Sequence, residues 1–282
     1  MMASELTMMA AVIHEHGGPD SIRYEAFPRP VPGPGEALVR VRATSLNRLD
    51  LWARSGPPVK IFPWTEPDFP LISGSDCAGE VAEVGDGVSN VKPGDRVVLY
   101  PSLSCGQCEY CRAGEQTMCY DYHIFGEHTY GAMAEYAVAP AANLLHLPDQ
   151  VTFVDAAAMP VAYTTAWRMI GTTGEVQAGS TVLVLGAGGS VGSAALVLAH
   201  RAGATVYATA GSPEKRQQAL AIGASAVHDH NIGPFSGWVM EQTGGRGVDI
   251  VVDPLGATWQ ESIRSLARNG RLVVCGATAG NK

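Results

Sequence analysis

Four cysteines, Cys105, Cys108, Cys111 and Cys119, stand in the spacing C-x2-C-x2-C-x7-C. One lobe can fold all four sulfurs around a single tetrahedral zinc at that spacing. Four thiolates leave no open position for water or substrate, so a metal held this way is a structural Zn2+ and not a catalytic one. A redox-active disulfide is the competing reading of the same residues. His123 and His128 follow the lobe and read as surface or pocket-edge groups, because four sulfurs already complete the tetrahedron. Cys77 and Cys275 lie outside the cluster and read as small buried hydrophobes.

A second chemical feature follows Leu185, where Gly186-Ala-Gly188-Gly189-Ser190-Val191-Gly192 has the spacing G-x-x-G-x-x-G. Glycines at a strand-to-helix turn let the backbone approach a pyrophosphate at a helix N-terminus. The strict G-x-G-x-x-G is not met, and glycine-rich turns alone serve steric ends. The strand-like Thr181–Leu185 before the turn, the helix-like Ser190–Ala202 after it and the strand-like Ala204–Ala208 beyond make the dinucleotide reading the stronger one. At the end of that next strand, a carboxylate would favour NADH by accepting from a free ribose hydroxyl. Thr209-Ala-Gly211-Ser212 stands there instead, with Lys215 and Arg216 beyond, which favours NADPH. A solvated helix start would carry the same two cations with no ligand.

The elements that must position these residues change character near residue 150. Before it, short runs such as Ala37–Ala43, Gly79–Val84 and Arg96–Leu99 alternate with Gly and Pro clusters, which predicts a β-rich domain over 1–150. After it, strands and helices alternate through Lys215–Ile222, Ala226–His228, Val248–Val252, Thr258–Ala267 and Arg271–Cys275. That alternation predicts an α/β domain over 151–282 with a doubly wound parallel sheet.

A net charge of −8 opposes phosphate backbones and anionic lipid, so nucleic acid and membrane are not expected partners. No apolar stretch approaches the roughly 18 residues a spanning helix needs. Met1–Ala11 lacks a basic n-region and carries Glu5, which speaks against a secretory signal and for a cytoplasmic protein. Thiols stay reduced there, which favours metal over disulfide.

Several motifs together resemble the medium-chain dehydrogenase/reductase superfamily, which includes zinc alcohol dehydrogenases and quinone oxidoreductases. They are Gly74-Ser-Asp-x2-Gly79-x5-Gly85, Lys92-Pro-Gly-Asp-Arg-Val97, the cysteine lobe, Ala156-Ala-Ala-Met-Pro160 with Thr165-Ala-Trp167, and the Gly186–Gly192 turn. The resemblance runs from about Met9 to the last residues. It implies an N-terminal GroES-like domain and a Rossmann domain.

In the zinc alcohol dehydrogenases the first motif reads G-H-E, and its histidine binds the catalytic zinc; here that position is Ser75, followed by Asp76. By the same resemblance the cysteine ligand falls on Asn47, the relay hydroxyl on Leu49 and the third ligand on Val161. Serine and asparagine bind zinc poorly and valine not at all, so a catalytic zinc is not expected. Asp50, Asp76, Cys77 and His128 are the residues from which a substitute site would have to be built. Leu46-Asn-Arg-Leu-Asp-Leu-Trp52 instead resembles the zinc-free quinone oxidoreductases, and Thr209–Glu214 their NADPH-binding turn.

The resemblance implies NADPH-dependent hydride transfer to a quinone or α,β-unsaturated carbonyl. Asn47 would donate to the acceptor oxygen, Trp52 would form an apolar wall and Thr165 would lie near the nicotinamide. Asp50 would orient Asn47 or pair with Arg48. A zinc alcohol dehydrogenase with unusual ligands and a nucleotide-binding protein without turnover are the alternatives. Family members continue about fifty residues further, so the sheet is expected to lack its sixth strand, which puts a homodimer through that edge in doubt.

Overall fold

The alternating runs of the first half form strands because each offers one apolar row to a shared core. In the computed structural model, which describes residues 6–56 and 68–276, the chain divides into two compact units, 1–161 and 162–282.

In the first unit, β1 (Thr7–Ile13) pairs antiparallel with β2 (Ile22–Pro28) and β4 (Leu71–Ile72). A five-stranded antiparallel sheet has the order β10 (Leu144–His146), β6 (Arg96–Leu99), β5 (Ala78–Val84), β3 (Glu36–Ala43), β9 (Tyr136–Pro140). The runs expected at 37–43, 79–84 and 96–99 coincide with β3, β5 and β6. Val39, Val81, Val97, Leu99, Phe125 and Leu144 form its core. A ribbon of β7 (Ser102–Leu103) and β8 (His123–Ile124) brackets the cysteine segment. Helices α1 (Arg48–Ser55), α2 (Glu109–Arg112) and α3 (Phe153–Ala157) interrupt the strands.

Arg96 shows how the Lys92–Val97 motif holds this unit. Its guanidinium donates to the Pro148 and Val151 carbonyls at 3.0 and 2.6 Å and lies 4.6 Å from the Phe153 ring centre. Strand β6 is thereby tied to the start of α3, where the Thr152 hydroxyl accepts from the Asp155 N–H at 3.1 Å.

Helix α4 (Pro160–Trp167) leads into the second unit, where five parallel strands stand in the order β13 (Ala226–His228), β12 (Thr205–Thr209), β11 (Thr181–Val184), β14 (Val248–Asp253), β15 (Leu266–Val274). This is the 3-2-1-4-5 order of a dinucleotide-binding sheet. Helices α5 (Ser190–Arg201), α6 (Pro213–Ala221), α7 (Ser236–Gln242) and α8 (Trp259–Arg264) connect the strands. Both faces of β11 are buried: Val182 and Val184 pack with Ala195, Leu196 and Ala199, while Leu183 and Leu185 pack with Phe235 and Val239. An uninterrupted apolar run is what a strand covered on both sides requires.

Two segments differ from expectation. The helix expected over Thr258–Ala267 stops at Arg264, and the strand expected at Arg271–Cys275 begins at Leu266. The register of β15 on β14 shifts between Val248 and Ile250, and Asn269 adopts φ +64°, so an irregular first half lengthens a strand whose regular part lies where the pattern placed it. Helix α7 has no counterpart in the sequence reading, because its Ser236-Gly237 start offers little helical signal. Gly280-Asn-Lys282 lies outside the described residues.

Candidate active site and metal centre

The cysteine lobe is built from a turn at Cys105, the short helix α2, which carries Cys111, and a turn ending at Cys119. All four Sγ atoms lie within 4.8 Å of one another, and no disulfide joins them. Cys105 Sγ is 4.0 Å from Cys111 Sγ and 3.5 Å from Cys119 Sγ. Four sulfurs about 2.3 Å from one zinc would be spaced about 3.8 Å apart, so the donor set fits the ion in both chemistry and size. Backbone N–H groups of Cys105 and Asp121 point at Cys119 Sγ and that of Cys108 at Cys105 Sγ, each at 3.4 Å. Such donors favour thiolate; the Cys111 backbone N–H leads in pulling the Cys108 thiol down to about 6. Among the described residues this quartet is the one group of three or more His, Cys, Asp or Glu that converges in this way. Asp50, Asp76, Cys77 and His128 form no such group.

The glycine turn joins β11 to α5. Gly186 has φ +62°, and its N–H donates to Thr209 Oγ1 at 3.1 Å while the Ala187 N–H donates to the Thr209 carbonyl at 2.9 Å. Buried Thr209, at the end of β12, therefore pins the turn. A Cβ on Gly192 would come within 2.3 Å of the Gly186 carbonyl oxygen, so helix and turn approach as closely as backbone allows. Gly189 caps α5 without a side-chain hydrogen bond, and Gly189 and Ser190 are exposed. Unsatisfied N–H groups of the first helical turn thus face outward, which suits a pyrophosphate. Val191 is half-buried against the core.

Lys215 and Arg216 behave differently. The aliphatic stem of Lys215 runs over Gly188, where a Cβ would meet its Cδ at 2.5 Å. Arg216 is paired with Asp229 at 2.6 Å. Ser212 caps α6 by accepting from the Lys215 N–H at 3.3 Å. Gly211 is fixed from the side by Asn231, whose Nδ2 donates to its carbonyl at 2.6 Å, and His230 closes against the same glycine. Asn231 and His230 carried no sequence signal, because β13 brings them to the turn from outside any motif.

In the first unit, Asn47, Asp50, Ser75, Asp76 and Val161 come together. Asp76, 1% exposed, accepts from Ser45 Oγ and, at 2.8 Å, from Asn47 Nδ2 on one carboxylate oxygen. Its other oxygen accepts from the Val161 N–H at 2.8 Å, and its carbonyl accepts from Thr44 Oγ1 at 2.7 Å. Burial raises the Asp76 carboxyl above its ordinary value, opposed by the bonds from Ser45, Asn47 and Val161. Asp50 accepts from the Asn47 N–H at 2.7 Å, from Ser73 Oγ at 2.9 Å and from the Gly74 N–H at 3.0 Å. Trp52 lies half-buried on α1, and Thr165 is half-buried on α4 in the second unit.

Glu127 is a residue that sequence reasoning missed. It is 3% exposed, and burial, with the Asp50 charge second, pushes its carboxyl up to about 8. Glu127 Oε2 and Ser75 Oγ are both buried without a hydrogen-bond partner among the described residues. Only the fold brings Gly126 against Gly74 and Ser75, so spacing gave no sign of this acid.

The alcohol dehydrogenase GroES-like domain model matches residues 33–149, and the zinc-binding dehydrogenase model matches 190–282. The chain is similar to an alcohol dehydrogenase of Geobacillus stearothermophilus, 32% identical over 271 residues, covering 95% of this chain and 77% of the relative. A quinone oxidoreductase of Homo sapiens is 29% identical over 279 residues, covering 98% of this chain and 75% of that protein. A solved structure described as an NAD-dependent alcohol dehydrogenase superposes with a TM-score of 0.91 at 42% identity, covering 97% of this chain and 78% of the other.

The fold and the two sites define an oxidoreductase of the alcohol dehydrogenase-like class. The chain belongs to the medium-chain dehydrogenase/reductase superfamily and spans about three quarters of the length of these relatives.

Proposed function

We propose that this protein is an NADPH-dependent reductase of quinones or α,β-unsaturated carbonyl compounds that works without a catalytic zinc. The observation that carries the reading is the arrangement around Asp76. Two of the positions that match zinc ligands in the zinc alcohol dehydrogenases, Asn47 and Val161, here donate to a carboxylate instead. Ser75, the third, is buried and offers a neutral hydroxyl, a poor zinc ligand.

A bound reduced nicotinamide supplies the hydride, and the Gly186–Gly192 turn holds its pyrophosphate. With no Lewis acid, the acceptor must be electron-poor and its oxygen stabilised by hydrogen bonding as charge develops. Asn47 supplies that donor, Asp50 holds Asn47 at the helix start, and Trp52 offers an apolar wall. Gly211, Ser212 and Lys215 favour the 2′-phosphate, since no carboxylate stands at the end of β12 to oppose it. The four thiolates of the lobe hold one structural zinc.

The test is a screen of NADPH oxidation with quinones, enones and aldehydes, alongside metal analysis. Turnover of quinones or enones with one zinc per chain supports the reading. Two zincs per chain, with activity lost when the more labile one is removed, would sink it. A second reading, alcohol dehydrogenase activity, is favoured by the similarity to alcohol dehydrogenases, and NAD-linked oxidation of a simple alcohol would support it.

A further inference from the structure

We propose that Asp76 is a positioning residue that replaces a metal ion's organising role, fixing the Asn47 carboxamide so that its second N–H is left for the acceptor oxygen. The inference rests on the reading of Asn47 as the donor and deepens it.

An asparagine side chain is ambiguous in shape. Its amide has a donor end and an acceptor end of nearly equal size on a broad terminal torsion, so packing alone does not decide which end faces where. A partner that only accepts does decide. Asp76 Oδ2 takes one N–H of Asn47 at 2.8 Å, so the NH2 end is the end that faces Asp76, and its second proton has a set direction. Asp76 is in turn over-determined: Ser45 Oγ donates to the same oxygen, the Val161 N–H donates to the other at 2.8 Å, and Thr44 Oγ1 takes its carbonyl. The carboxylate cannot rotate without orphaning a donor in a site where it is 1% exposed. From the other side, Asp50 Oδ2 holds the Asn47 backbone N–H at 2.7 Å. Backbone and side chain of Asn47 are thus gripped by two different acids.

A metal ion would gather the same positions by coordination; here one buried carboxylate does so by accepting hydrogen bonds. The distinction gives a test that separates orientation from mere packing. In Asp76→Asn, one of the two acceptor oxygens becomes a donor, so either Val161 or the Ser45 and Asn47 pair loses its acceptor. The acceptor kcat/KM should fall roughly 10- to 100-fold, mostly in kcat, because misplacement of a donor by about 1 Å costs that order. NADPH affinity, read by nicotinamide fluorescence, should change less than about twofold.

The decisive variant is the exchange Asn47→Asp with Asp76→Asn. It restores a donor and an acceptor facing each other and leaves an amide oxygen for the Val161 N–H. The thermal midpoint should therefore recover, while activity should not, because the side chain at position 47 no longer carries an N–H. Recovery of both would show a packing role only and overturn the inference. The exchange also carries the test where Asp76→Asn alone fails to fold. An Asn47→Ala variant that keeps full activity would remove the reading of Asn47 and this inference together. Loss in Asn47→Ala with none in Asp76→Asn would overturn the inference alone.

Discussion

The cysteine lobe and the Asp76 cluster lie in the same unit and have taken opposite courses. In the lobe, four cysteine sulfurs converge within 4.8 Å of one another, and backbone N–H groups lower the Cys105 and Cys108 thiols, as metal ligation asks of its donors. Around Asp76, neutral donors converge on a single buried carboxylate, which among the described residues belongs to no group of three or more His, Cys, Asp or Glu placed to hold a metal. On the proposed reading, the difference separates two functions, ordering a loop through a metal and organising a reaction site through hydrogen bonds.

The sharpest way to break this contrast is to remove the lobe's sulfurs. Cys105→Ser with Cys111→Ser should take zinc from one per chain to near none by mass spectrometry and unfold residues 102–124. Metal–thiolate sites contribute on the order of 10 kcal/mol in small peptides, an upper bound here. Retained zinc in that variant would move the metal to another site and undo the comparison.

Next in size is the glycine turn, which stands outside both regions and should respond to neither metal nor Asp76. A Cβ placed 2.3 Å from a carbonyl oxygen forces helix and turn apart. Gly192→Ala should cost about 1–3 kcal/mol of stability and weaken dinucleotide binding at least about tenfold by calorimetry. Zinc content should not move.

Glu127 adds a pH signature to the hydrogen-bonded region alone. Its folded-state pKa is raised from 4.5 to about 8, so the folded protein keeps a proton that the unfolded chain gives up. Stability is fully present below about 4.5 and is lost as pH rises toward 8, by at most about 1.4 kcal/mol per pH unit. Glu127→Gln keeps the shape of the neutral acid and should flatten that slope in urea titrations between pH 5 and 8. An unchanged slope would show that Glu127 titrates normally.

The smallest effect concerns cofactor choice. Lys215→Ala should weaken NADPH about tenfold and NADH less than twofold. Arg216→Ala should instead cost about 0.2–1 kcal/mol of stability, since its partner is Asp229. Equal loss for both cofactors in Lys215→Ala would remove the argument from the missing carboxylate.

Much of this architecture was legible because it is local. The strands β3, β5, β6 and β11 follow from alternating or continuous apolar runs, and the glycine turn follows from spacing within seven residues. The start of β15 was not legible, because an irregular register and a left-handed Asn269 depend on the partner strand β14. The pairing of Arg216 with Asp229 escaped for a similar reason, since 13 residues and a helix separate two groups that meet only when β13 lies beside β12.

By itself the sequence determined the donor types: four thiols at metal-binding spacing, a glycine turn between strand and helix, and Asn47, Ser75 and Val161 where zinc ligands would stand. Those choices are written in residue identity and short separations. Tertiary structure alone decided that these positions meet at one buried carboxylate. Asn47, Asp76 and Val161 are separated by 29 and 85 residues, and only folding brings their groups within hydrogen-bond reach. Burial then does the rest, because a carboxylate removed from water must find its donors inside the protein, and those donors are fixed in turn.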